Sequence, residues 1–210
     1  MKKITIGFLF IFSLTQAQDL TLSGGSLTIE RTGSLIMTGN FTNNSATVTL
    51  NSDANEFAVI KVGGSATGNI TYNRWVNAVG NNEWDLIGSP VDGLSISDFA
   101  NTNTSGSSPL ATNGSQYAIG YFDNSADEWT NYTSGTIGSA GNFDIGKGYQ
   151  MGTDSGATLA FTGTIATTDQ LQAVQDYSGA SGRIWNLVAN PYPIYYPQPY
   201  PQLVWCSVAS

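Results

Sequence analysis

Two loops in this 210-residue chain alternate oxygen-bearing side chains. "DNSADE" (123–128) offers Asp123, Ser125, Asp127 and Glu128, and "NSDANE" (51–56) offers Asn51, Asp53, Asn55 and Glu56. Calcium takes about six to eight oxygen ligands, and such alternation can wrap it. Neither loop has the sixth-position glycine or the distal bidentate acid of a helix-loop-helix site. Asp, Asn and Ser also build tight turns through their own side-chain hydrogen bonds, so a hairpin turn accounts for the same residues. Calcium at Asp123, Ser125, Asp127 and Glu128 is the one cofactor expectation, held beside the turn.

A second chemistry is ring stacking. Trp129, Tyr121 and Trp75 stand near Asp and Asn residues, and aromatic faces flanked by such groups bind pyranose rings. Trp84, Trp185 and Tyr149 extend the set. Trp84 and Trp185 head apolar strands and are expected in the core. Trp129 and Tyr121 lie across a hairpin, where a cross-strand pair would serve packing alone.

Other chemistries find less. "GNFDIGKG" (141–148) is close to a phosphate-binding loop, but Gly148 stands where a magnesium-binding hydroxyl belongs, and the sequence beyond it is strand-like. A turn using Gly141 and Gly146, with Lys147 in solvent, fits as well. Glu83 and Asp85 flank Trp84 on one strand face, a weak echo of a glycosidase pair. The chain has no histidine, which excludes His-based triads and His-ligated metals. One cysteine, Cys206, forms neither an internal disulfide nor a zinc site. Enzyme activity is not expected.

These side chains need elements to hold them. Residues 1–17 read as a signal peptide: Lys2 and Lys3, an apolar run from Ile4 to Leu14, then Thr15-Gln16-Ala17. A secreted, extracellular or cell-surface location is implied, with no membrane span once that segment is removed. The formal charge of −8 disfavours nucleic acid and anionic lipid, which need clustered Lys and Arg. Residues 18–68 are rich in Gly, Thr and Asn and carry short period-two runs. Inward pairs are Leu20/Leu22, Leu27/Ile29, Leu35/Met37 and Val48/Leu50, with Ile60/Val62 in place of Val59/Lys61. The repeated Gly-Ser-Leu openings at 25–27 and 33–35 suggest solenoid rungs.

From Asn69 the strands lengthen and turn aromatic. "YAIGYFD" and "EWTNY" joined by "NSAD" form a hairpin. The polar stretch 99–116 reads as a surface loop, and 167–177 as either one short helix or a loop. Strands of this kind predict an antiparallel β-sandwich over 69–180.

"WDLIGSP" (84–90) and "WNLVANP" (185–191) repeat nearly the same residues. Each is a buried strand ended by a proline that has no N–H for the ladder. The second copy opens residues 181–210, read as the start of a second, truncated module with a Pro-rich tail.

Together, "TGNITYNRWV", "WDLIGSPV", "YAIGYFD", "GKGYQM", "FTGTI" and "WNLVANPYP" resemble secreted multi-module β-proteins exported by the type IX route. In that family, Gly/Thr/Asn-rich strands precede tandem β-modules. The resemblance spans roughly 20–193, transfers no catalytic residue and lacks the C-terminal sorting domain. The expectation is an all-β protein: a short solenoid-like strand stack followed by an antiparallel β-sandwich. Its function would be non-catalytic and adhesin-like, toward an extracellular polymer or protein surface. The alternatives are a carbohydrate-binding module and the non-catalytic part of a larger secreted enzyme.

Overall fold

Alternating short runs form the first seven strands: β1 (Leu20–Leu22), β2 (Ser26–Ile29), β3 (Ser34–Met37), β4 (Phe41–Asn43), β5 (Thr47–Leu50), β6 (Val59–Val62) and β7 (Ala66–Thr67). A computed structural model describes residues 19–81, 84–104, 109–174 and 185–194, and the backbone of 203–207. The signal segment 1–17, Glu83, and residues 175–177 of the possible helix lie outside the described residues.

All seven strands pair in parallel: β1 with β4 and β4 with β7, β2 with β5, and β3 with β6. Three successive strands therefore make one turn of a solenoid. Like positions stack: Leu20 on Phe41 on Ala66, Ile29 on Leu50, Met37 on Val62. The expected inward residues Ile29, Met37, Val48, Leu50, Ile60 and Val62 are buried.

The Gly-Ser-Leu repeat does not mark stacked equivalents, because Leu27 lies in β2 and Leu35 in β3, neighbouring sides of one turn. Going once around needs three strands and their corners, so stacked positions are 21 residues apart from β1 to β4 and β2 to β5, and 25 apart from β3 to β6 and β4 to β7, where a corner is longer. Polar ladders mark those corners. Asn51 donates to Glu30 (3.1 Å) and accepts from Asn73 (3.0 Å), one residue per turn.

The eighth strand, β8 (Ile70–Val76), joins the two architectures. On one edge it pairs in parallel with β5; on the other it pairs antiparallel along its whole length with a later strand, Ala157–Gly163. The elements between and beyond are β9 (Asp85–Ile87), α1 (Ile96–Thr104), β10 (Thr112–Asn113), β11 (Gln116–Asp123), β12 (Glu128–Thr133), β13 (Tyr149–Met151), β14 (Ala157–Gly163), β15 (Trp185–Ala189) and β16 (Leu203–Ser207). One sheet runs β14-β8-β5-β2; the other runs β10-β11-β13-β9 with β12 on β11. Leu159 and Phe161 of the first sheet share one core cluster with Ile119, Tyr149 and Met151 of the second. The chain is all-β, a solenoid-like strand stack followed by a sandwich.

Within the stretch 99–116, expected to be a surface loop, residues 99–104 are helical and Leu110 and Ala111 are buried. The helical residues belong to α1, whose N-terminus is capped by the Ser95 hydroxyl accepting from Asp98 N–H at 2.9 Å. Ile96, Phe99, Ala100 and Asn103 are buried, the spacing of one helix face. Phe99 packs on Phe161 (4.5 Å between centroids) and edge-on to Phe143 (5.2 Å). Asn103 exchanges hydrogen bonds with the β14 backbone, accepting from Ala160 N–H (2.8 Å) and donating to Ala160 C=O (3.0 Å). The helix so occupies backbone groups that an edge strand would leave open. Polar Asn and Thr concealed it in the sequence, because they favour loops until a tertiary partner accepts them.

Residues 167–174 form no helix, and Leu171 is 95% exposed. An isolated turn with no apolar surface to cover has too little to offset nucleation. In the tail, β15 pairs antiparallel with β16, placing Asn186 opposite Cys206. β15 also joins the sandwich, since Gly148 N–H donates to Leu187 C=O and Ala189 N–H to Gly146 C=O.

Candidate functional site

The β11–β12 hairpin decides where the aromatic candidates go. Its register sets Phe122 opposite Trp129 and Tyr121 opposite Thr130. Neighbouring pairs project to opposite faces of a sheet, so Tyr121 and Trp129 are not cross-strand partners. Trp129 packs on Phe122, with centroids 5.5 Å apart and planes at 69°. Tyr121 turns to the core face and meets Tyr132, 5.5 Å away at 45°. Trp75 lies in the other sheet opposite Thr158, with its indole Nε1 buried and without a hydrogen-bond partner. The platform of Trp129, Tyr121 and Trp75 is therefore not assembled. Trp185, expected in the core, is 46% exposed as the first residue of β15. Trp84 is partly buried against the core.

The oxygen-rich loops are turns. Asp123 Oδ1 accepts from Ser125 N–H (2.9 Å), Ser125 Oγ (2.7 Å) and Ala126 N–H (3.2 Å). Those donors, the Ser125 hydroxyl foremost, hold the Asp123 carboxyl below its ordinary pKa. Asp127 sits at φ 59, the left-handed conformation Asp tolerates. In the other loop, Asp53 Oδ1 accepts from Asn55 and Glu56 N–H, both at 2.9 Å, while Arg31 reaches Asp53 (2.6 Å) and Glu56 (3.4 Å). Among the described residues, no three acidic, His or Cys side chains cluster at metal-binding distance.

The "GNFDIGKG" loop brings a cleft together. Gly141 and Gly146 take positive φ (74° and 85°), the freedom such a turn needs. The loop leads into strand β13, so no helix N-terminus is available for phosphate. Lys147 does not stand free in solvent. Its ammonium lies 5.2 Å from the Tyr121 ring centre, 5.6 Å from that of Tyr149, and 3.6 Å from Asp144. Tyr149 is buried and accepts from Asp144 N–H at 3.0 Å, which locks the loop onto the sheet.

Tyr121 and Tyr132 thus form the aromatic wall of a cleft of about 380 Å³, with Thr130, Asn142, Asp144 and Lys147 around it. Burial pushes the Tyr132 phenol up to about 12, so it stays a neutral donor and acceptor. Asp144 is exposed, and Asn142 is exposed at the rim. A tilted aromatic pair flanked by a carboxylate, an amide and hydroxyls can hold an apolar ring face and the hydroxyls around it. Sequence reasoning found Tyr121 and Lys147 but missed Tyr132. The hairpin register was the missing signal, since two residues along each strand set which rings share a face.

Comparison with known families, curated proteins and solved structures finds no match to this chain. Asp85, the described member of the weak carboxylate pair, accepts from Asn77 N–H (2.8 Å) and Asn77 Nδ2 (3.0 Å).

Proposed function

We propose that this chain is a non-catalytic extracellular interaction module of adhesin type, exported through its 1–17 signal segment, that contacts an uncharged polysaccharide through the Tyr121–Tyr132 cleft. The single observation behind this reading is the convergence of two half-buried tyrosine rings with Asn142, Asp144 and Thr130 in one concave site. The Lys147–Asp144 pair neutralises the site locally, which favours hydroxyl-rich over ionic ligands. The solenoid-like stack and its corner ladders supply a rigid mount, as pre-organised sites need.

A glycan-array screen of the purified chain tests this, with Tyr132→Ala and Trp129→Ala alongside. Saturable binding is expected, weakened at least tenfold by Tyr132→Ala and kept by Trp129→Ala. A folded chain that binds no glycan, or one whose binding depends on Trp129 and not on Tyr132, would end the proposal.

A further inference from the structure

The two copies of the doubled heptapeptide meet. Gly88 of the first copy sits so close to Ala189 of the second that a Cβ at Gly88 would collide with the Ala189 side chain. Beside this contact lies a cavity of about 50 Å³, walled by Leu86, Gly88 and Pro90 of one copy and by Asn190 of the other. Tyr72 and Arg74 of the junction strand β8, Phe57 of the solenoid, and Tyr192 and Ile194 beyond the second copy also line it.

Arg74 is the unusual group here. Its guanidinium stacks 4.5 Å over the Phe57 ring. Among the described residues it makes no ion pair within 4.0 Å and no side-chain hydrogen bond, whereas Arg31 and Lys147 both have carboxylate partners. Lys61 is exposed. Asp85 exerts some field on Arg74 from beyond ion-pair distance, while its two oxygens accept from Asn77. Tyr72 is no counter-charge either: its hydroxyl donates to Ala58 C=O at 3.2 Å and stays neutral, its pKa pushed up to about 12. Burial lowers the Arg74 pKa, and the fields of Tyr72 and Asp85 offset it only in part. A cation held on an aromatic face in a chain of net charge −8 has ample acidic residues to choose from, yet none of the described ones pairs with it.

We propose that this cavity is a binding site for a carboxylate group, received end-on by the Arg74 fork. A planar guanidinium matches a carboxylate with two parallel N–H···O bonds. The apolar side chains of Leu86, Pro90 and Phe57 in its wall lower the local dielectric, which strengthens such a pair. A water needs roughly 10–15 Å³ of such space, so the cavity admits a group of a few heavy atoms and leaves the rest of a larger ligand outside. The carboxylate can belong to a small free acid or to the C6 acid of a uronic sugar. This site does not depend on the tyrosine cleft.

The test is a titration of the ¹⁵N-labelled chain with sodium acetate and, separately, sodium glucuronate, following the backbone amide signals of residue 74 and of Gly88, which lines the cavity, against sodium chloride at equal ionic strength. A saturable shift with at least one of the two acids is expected, weakened at least tenfold in Arg74→Lys, which keeps the charge but loses the fork. Preference for acetate assigns a small free acid; equal or tighter binding of glucuronate assigns a sugar acid. Tyr132→Ala should leave either titration unchanged. If Arg74→Lys does not fold, Leu86→Trp, which fills the cavity from its wall, must abolish the shift. No saturable shift of these amides beyond the chloride control, or an undiminished one in either folded variant, overturns the proposal.

Discussion

Phe122 faces Trp129 across the β11–β12 hairpin, and that pairing sends Tyr121 to the opposite face of the sheet. One step of register therefore separates a structural aromatic pair from the rings of the candidate cleft. Trp129→Ala should cost about 0.5–1.5 kcal/mol through the lost aromatic pair, with further loss from its buried area. Tyr132→Ala should act on glycan affinity instead. Thermal melts and array binding of both variants separate the roles. Equal effects of the two on binding would contradict the register argument.

Helix α1 belongs to the core because Phe99 is fully buried against Phe161 and Phe143. Phe99→Ala should destabilise the chain by about 3–5 kcal/mol, the usual cost of emptying an aromatic core site. A denaturant melt measures it. A loss below about 1 kcal/mol would mean that the helix is peripheral.

Gly68 holds φ +82 at the corner between β7 and β8, and a Cβ there would run into the Asn43 carbonyl. Asn43 itself spans two turns of the solenoid, donating to Ala46 C=O (3.0 Å) and Asn69 C=O (2.7 Å). Gly68→Ala combines backbone strain with a steric clash and should cost roughly 2–4 kcal/mol. Gly80→Ala, where a Cβ meets open space, is the control and should be near neutral. The two melting temperatures, read side by side, decide the matter.

Stability should fall at both ends of the pH scale. Asp53 and Asp123 have folded pKa values held below the ordinary one by hydrogen bonds from their turns. Their contribution is present above the unfolded value near pH 3.9 and is lost as pH falls through the lower folded values. Tyr72 and Tyr132 are raised to about 12 by burial. Their contribution is complete below the unfolded value near pH 10 and is lost as pH rises through the folded ones. Melting temperatures from pH 2 to 12 should show both limbs, and Asp53→Asn with Asp123→Asn should flatten the acidic one. An acidic limb unchanged in that double variant would show that neither turn carries the effect.

The sequence by itself determined the strands of the solenoid-like stack and their inward residues, because period-two burial is a local property that Leu27/Ile29, Val48/Leu50 and Ile60/Val62 write directly. It also marked the β11–β12 hairpin, whose turn residues act within a few positions of one another. Tertiary structure alone decided the rest. The length of a solenoid turn depends on corners that no single strand encodes, so Gly-Ser-Leu misled. Helix α1 exists because β14 accepts Asn103, a contact 57 residues away. Tyr121 met Tyr132, not Trp129, through strand register, and the doubled heptapeptide acquired a meaning only when its copies closed around Arg74. Local pattern specifies which side of an element is buried; only long-range packing specifies what it is buried against.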